Sequence, residues 1–259
     1  AQENAEKSRF YSEKMNEIII NLKNSITDMS SAPRLLTGNE SNEKHLCVVM
    51  TADRGLCGGF NTNICKKSRE FMNKLLMNGK ELKIITVGSK SYDQLRRIYG
   101  KYIIEKISFK NQKKIKVSDA NLISNKIISM FYDREFDICT IFYSKFKSVI
   151  SQEPVEQQII PVKNDDLIKN NQIDLVQYEY EPDEQEILNN LLPKNISTQI
   201  LKGLLENAAS EQGARMSAMD NASRNAGDLI EKLTINYNRS RQAVITKELI
   251  EIISGAETL

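Results

Sequence analysis

The chain has 259 residues, 40% hydrophobic and 27% charged, with a formal net charge of +2, enough for one good domain plus extensions. That near-neutral balance argues against a dedicated nucleic-acid binder, which needs a strongly basic domain, so no nucleic-acid partner is expected. No run approaches eighteen apolar residues, so no direct insertion into a bilayer is expected, and no charged-then-apolar leader is visible.

From residue 1 to about residue 30 there is neither Gly nor Pro, and Tyr11, Met15, Ile18, Leu22, Ile26 and Met29 recur at steps of three or four. This predicts an amphipathic helix over 1–32. The chain opens on Ala rather than Met and is already in helical register, so this helix is expected to be truncated or processed. The apolar run 46–50 reads as a strand, followed by the turn-rich stretch 53–59 and a helix over about 61–77 carrying Cys65, Phe71, Leu75 and Leu76. Residues 83–87 read as a second strand, 91–99 as a short helix, 118–132 as a longer one, and 137–143 as a further strand. Strand and helix in this alternation imply a mostly parallel sheet flanked by helices, a Rossmann-like α/β domain over 45–181. The β-like stretches 147–161 and 174–180 have no helix between them and read as an antiparallel extension. Pro182 and the acidic Asp183, Glu184 and Glu186 then open a helix with carboxylates at its positive end.

The last third reads as one helix of roughly sixty residues, which at 1.5 Å per residue spans on the order of 90 Å, against about 10–14 residues for a typical globular helix. Over 191–254 only Pro193, Gly203, Gly213 and Gly227 interrupt the pattern. Ile196, Ile200 and Leu204 begin an apolar stripe; Met219, Ala222, Ala226, Leu229, Leu233 and Tyr237 carry it on; Ile245, Leu249 and Ile252 continue it. The expected fold is therefore α/β, with a long antiparallel coiled coil of the N- and C-terminal helices, the second over 183–256. Ile18, Leu22 and Ile26 are expected to pack near Leu201, Leu204 and Leu205, and Met219, Leu229 and Leu233 to lie along the seam. Small residues at 208, 209, 213, 214 and 218 would let a partner helix approach closely. A buried helix of a large α protein is the competing reading, though no other segment is long enough to surround it.

Chemistry is sparse. Gly55, Gly58 and Gly59 form neither GxGxxG nor the Walker pattern, and no Lys-Ser/Thr pair follows. There is no GxSxG elbow. The one histidine, His45, reads as a loop residue, and Cys47, Cys57, Cys65 and Cys139 have no CxxC spacing, so no metal site can be built. Four unpaired-looking cysteines fit a reducing compartment. The glycines read as a tight turn, with positive φ and close backbone approach. No catalytic residue and no cofactor is expected.

Three stretches carry a family resemblance. Asp53-Arg54-Gly55-Leu56-Cys57-Gly58-Gly59-Phe60-Asn61 resembles the family loop of the gamma (central stalk) subunit of rotary ATP synthase. Ser210-Glu211-Gln212-Gly213-Ala214-Arg215-Met216-Ser217-Ala218-Met219 also looks like that subunit, as does the stretch 238–256, which contains Arg241 and Gln242. Residues 75–185 match it only in element order. Two departures stand out: about thirty residues of the family's N-terminal helix are missing, and Glu257-Thr258-Leu259 stand where small residues are usual.

The resemblance implies a non-catalytic rotor of the proton-translocating ATP synthase. Its partners would be three alpha and three beta subunits, the epsilon subunit and the membrane c-ring. It implies a peripheral place on the cytoplasmic face of a bacterial inner membrane, or on the matrix face of a mitochondrial one. Arg241 and Gln242 match family positions that hydrogen-bond to acidic loops of a beta subunit, and Arg54 is a second stator candidate, with turn stabilisation through Asp53 as its alternative. From the residues alone, a nucleotide-binding α/β enzyme with a long oligomerisation helix and a static coiled-coil adaptor remain open.

Overall fold

The computed structural model describes residues 2–25, 32–110, 112, 114–162 and 184–257. Ile26, Met29, Pro182 and the β-like stretch 174–180 lie outside the described residues. The chain divides into two compact units, Ala1–Met216 and Ser217–Leu259.

The first unit is built on a five-stranded sheet in the order β3-β2-β1-β4-β5. Its strands are β1 (Lys44–Met50), β2 (Glu81–Val87), β3 (Ile103–Ile107), β4 (Ile138–Phe146) and β5 (Gln152–Ile160). The first four pair in parallel and β5 runs antiparallel to β4, as the missing crossover helix requires. The helices are α1 (Gln2–Ser25), α2 (Arg34–Thr37), α3 (Phe60–Met77), α4 (Ser89–Tyr99), α5 (Val117–Tyr132) and α6 (Glu184–Glu257). His45 lies in β1, not in a loop: it is buried, its Nε2–H donates to the Asn42 carbonyl at 3.0 Å, and burial lowers its pKa.

From Leu46 to Met50, β1 is apolar at every step because it is covered on both faces. Leu46, Val48 and Met50 join one core with α1, α5 and the first part of α6, while Cys47 and Val49 join another with α3 and α4. Helix ends follow local chemistry. After α3, Gly79 takes φ +72°, and the Gly79 and Lys80 N–H groups bond back to Leu76 and Leu75, a Schellman closure. After α5, Arg134 does the same at φ 57°, with Glu135 N–H bonding to Met130. At the start of α5, the Asp119 carboxylate accepts the Lys116 N–H at 2.8 Å.

The buried stripe of α1 is Ala5, Ser12, Met15, Ile19 and Leu22, a seven-residue repeat. The expected stripe through Tyr11 and Ile18 is corrected here: Ile18 is 45% exposed and its neighbour Ile19 is fully buried. Two cross-links, Gln199 to Asn16 at 2.9 Å and Arg9 to Glu206, set α1 antiparallel to α6. That register puts Leu22 level with about position 193, more than a turn before Leu201. The expected pairing of Ile18 and Leu22 with Leu201, Leu204 and Leu205 is therefore shifted by roughly two turns. Leu204 is buried, while Leu201 and Leu205 are partly so.

The small residues of α6 meet the sheet as well as a helix. A Cβ on Gly203 would lie 3.3 Å from Met50 Sδ, and one on Gly213 would lie 3.2 Å from the Phe146 ring. In the second unit, the remainder of α6, residues 219–255 are all exposed. Met219, Leu229 and Leu233, expected in a packed seam, are 42%, 58% and 57% exposed.

Candidate functional site

Doubly wound sheets bind ligands where the strand order reverses, outside the carboxyl ends of the strands. Here that point lies between β1 and β4, and α6 fills it. β1 stops at Met50, so the backbone of β4 beyond Phe142 has no strand beside it on that side. Side chains of α6 take over: Asn207 accepts the Ser144 N–H at 3.3 Å, Glu206 accepts the Phe146 N–H at 2.8 Å, and Ser210 donates to the Ser144 carbonyl at 2.9 Å. A crevice plugged by its own helix, with a buried carboxylate pointing in, is a poor place for a phosphate.

The turn after β1 is equally committed. Asp53 accepts the Ser89 N–H at 2.8 Å and the Ser89 and Ser108 hydroxyls at 2.7 Å on one oxygen, and the Phe109 N–H at 2.9 Å on the other. Burial alone would raise its pKa; the donors from Ser89, Ser108 and Phe109 outweigh it and hold the carboxyl below its ordinary value. Ser89 opens α4, so Asp53 occupies the helix N-terminus that a phosphate would use in a nucleotide-binding fold. The close approach that permits this is at Gly88, with φ +92°, where a Cβ would lie 2.2 Å from the Thr51 carbonyl oxygen. The family-loop glycines do less than expected. Gly58 has φ 55°, but neither Gly55 nor Gly59 takes a positive φ, and the second left-handed residue is Leu56, at 61°. A Cβ on Gly55 would meet nothing within 4 Å. Asn61 ties the turn from beneath, accepting the Ala52 N–H at 2.9 Å.

The loop therefore presents Arg54 on a fixed base. Asp53 is spent elsewhere, and Arg54 is exposed with no ion-pair partner among the described residues. No hydrogen bond or ion pair joins the side chains of Arg54 and Asp53, and the Asp53 carboxylate bonds go to Ser89, Ser108 and Phe109. Arg215 of α6 reaches the loop instead, donating to the Gly55 carbonyl at 3.3 Å while paired with Glu211 at 2.6 Å. A cleft of about 1070 Å³ runs between this loop and α6, with Arg54, Lys110, Lys114 and Arg215 on its walls. Sequence reasoning missed Arg9, Glu206 and Asn207; the signal was polar residues on the buried face of α6, where an apolar stripe alone was sought.

Arg241 and Gln242 lie in the second unit and are exposed, as are the apolar residues around them: Tyr237, Val244 and Ile245. The four cysteines are free and buried, and burial pushes the Cys65 thiol up to about 12. Among the described residues, no group of His, Cys, Asp and Glu could hold a metal, and no helix is long and apolar enough to cross a membrane.

Comparison with known proteins agrees with these features. The family model described as ATP synthase matches residues 1–259. The ATP synthase gamma chain of Pelagibacter ubique (strain HTCC1062) is 64% identical over 259 residues, covering 100% of this chain and 88% of that one. That of Rhizobium etli (strain CIAT 652) is 54% identical over 260 residues with the same coverage. Among solved structures, a chain of the Euglena gracilis mitochondrial ATP synthase superposes with TM-score 0.64 at 19% identity, over 99% of this chain and 92% of that one. A chain of the Tetrahymena thermophila mitochondrial ATP synthase central stalk and c-ring gives 0.56 at 21% identity, over 85% and 99%. At such identities the structures speak for the fold, and the sequence relatives for the family. The chain belongs to the ATP synthase gamma-chain family: it is the rotor subunit of that complex and not its catalytic subunit.

Proposed function

We propose that the chain turns inside a hexamer of three alpha and three beta subunits, driven through an epsilon subunit and a membrane c-ring. The exposed helix of the second unit supports this reading most directly. Leu229, Ile230, Leu233, Ile235, Tyr237, Val244 and Ile245 are each about half exposed or more, a density of apolar surface that marks an interaction site. Arg241 and Gln242 stand among them as the catch for acidic loops of a beta subunit. Arg54 is a second contact, a fixed cation facing a passing acidic patch. Met219, Leu229 and Leu233 take part in packing with partners outside the described chain. The functional parts are a first coiled-coil helix over 1–32, an α/β domain over 45–181 and a second helix over 183–256.

Rotation acts allosterically. The rotor binds the three beta conformations with different free energies, and its orientation selects which is favoured. On this reading the chain lies peripherally on the cytoplasmic face of a bacterial inner membrane, with the mitochondrial matrix face as the alternative. The test is co-purification of the full chain from its own membranes, with ATP hydrolysis and ATP-driven proton pumping assayed on the product. Alpha and beta chains in the eluate with coupled pumping are expected. Stoichiometric micromolar ATP binding by the purified chain alone would favour the nucleotide-binding enzyme instead.

A further inference from the structure

Arg9 of α1, Glu206 of α6 and the backbone of Phe146 in β4 meet in one buried knot. The Glu206 side chain is wholly buried and takes the Arg9 guanidinium on both oxygens, Nε to Oε1 and Nη2 to Oε2, the latter at 2.8 Å. The same Oε2 accepts the Phe146 N–H at 2.8 Å, and Arg9 Nη2 also donates to the Phe146 carbonyl. Three elements far apart in the chain are thus cross-linked through one carboxylate.

Stability does not require an ion pair here. Burying two charges is often no better than filling the same space with apolar groups. Apolar neighbours are present, since Ala5, Ala209 and Phe146 form a small cluster at this level. Such contacts are non-directional, and small side chains in particular let one surface slide over another. A guanidinium fork on a carboxylate differs in being planar and two-pronged, so it fixes both separation and relative rotation. The additional bonds to Phe146 extend that constraint to the sheet.

We propose that Arg9 and Glu206 form a torque clamp that locks α1 and α6 to β4 at fixed height and angle, so that load on the α/β domain passes to the helices without slip. The clamp rests on the rotor function given above. Both residues are positioning residues.

The test uses the assembled ATP synthase in inverted membrane vesicles, with ATP hydrolysis and ATP-driven acidification measured on the same preparation. The double variant Arg9→Met/Glu206→Gln removes both charges, leaves no lone buried ion, and keeps an amide oxygen for the Phe146 N–H. It should assemble and hydrolyse ATP, with the ratio of pumping to hydrolysis lowered about threefold or more. Arg9→Lys keeps the charge but loses the fork, and its ratio should fall between the two. A wild-type ratio in the double variant overturns the clamp, even where both rates decline together, because a purely structural role would leave coupling intact. If the double variant does not assemble, Arg9→Lys decides alone: a lowered ratio supports the clamp and a wild-type ratio overturns it. Hydrolysis without acidification in vesicles carrying the unaltered chain would count against the rotor reading rather than the clamp.

Discussion

The Gln199 amide of α6 donates to the Asn16 side-chain oxygen of α1 at 2.9 Å, and its own oxygen accepts from Gln157 of β5 at 2.9 Å. Tyr143 of β4 donates to the other side of the Gln157 amide, also at 2.9 Å. Gln199 is almost wholly buried. A slip of α1 by one turn would break this chain and leave buried amides unpaired, at a cost of about 1–3 kcal/mol for each orphaned group. Register between the terminal helices is therefore set by polar groups, with the apolar stripe following.

That register predicts which isoleucine or leucine of α1 matters. Leu22→Ala, at a fully buried position, should cost about 2–5 kcal/mol. Ile18→Ala, at a position 45% exposed, should change stability by no more than about 0.5 kcal/mol. Denaturant unfolding of the two variants in parallel measures this. Equal losses would mean that the two helices pair in another register.

Asp53 gives a pH prediction. Its folded-state pKa is depressed below the ordinary carboxylate value because the hydrogen bonds from Ser89, Ser108 and Phe109 overcome burial. A depressed carboxyl contributes stability that is present above the unfolded pKa, about 3.9, and is lost as pH falls through the lower folded value. Asp53→Asn should therefore be less stable than wild type at neutral pH, by about 1–2 kcal/mol. The gap should narrow as pH drops below about 4. Melting temperatures of both proteins from pH 7 to pH 3 report this, and a gap that widens toward acid would contradict it.

Glycine requirements differ sharply around the same turn. Gly88→Ala forces a Cβ to within 2.2 Å of the Thr51 carbonyl oxygen at a φ of +92°, so a loss above about 2 kcal/mol is expected. Gly55→Ala meets nothing within 4 Å and should be near neutral. A comparison of chemical midpoints separates the two, and a severe Gly55 variant would show that the loop glycine is needed for contact with another chain.

Most of the fold was legible because its strands are covered on both faces and its helices are long. The strand missed altogether, β3, is a five-residue edge strand, Ile-Ile-Glu-Lys-Ile, whose charged steps weaken the apolar signal that marks a buried strand. The one-residue error on α1 has a definite cause. Ile18, Ile19 and Ile20 are consecutive, so any of them continues an apolar stripe, and only the polar link at Asn16 picks Ile19. Asp53 stood in the recognised loop, yet its four donors come from residues 36 to 56 positions away, a pairing that no local pattern contains. The Arg9–Glu206 fork spans 197 residues and was hidden for the same reason.

The catch on the second unit is tested by Arg241→Leu and Gln242→Leu. Both side chains are exposed, and Leu is a good helix former, so substitution should leave the fold within about 0.5 kcal/mol of wild type. Assembled complexes should nevertheless hydrolyse and synthesise ATP more slowly, since a polar group that meets a carboxylate in one rotor orientation and not in another supplies differential binding, which Leu cannot. A loss of about 1–2 kcal/mol of such coupling corresponds to roughly five- to thirtyfold in rate. Arg54→Ala should act more weakly and mainly through salt, its effect fading as ionic strength screens an exposed cation. Turnover of the three variants measured from low to high salt distinguishes the roles. Unchanged rates in both helix variants would remove Arg241 and Gln242 from the mechanism, leaving the exposed apolar residues to hold the rotor in its hexamer by shape alone.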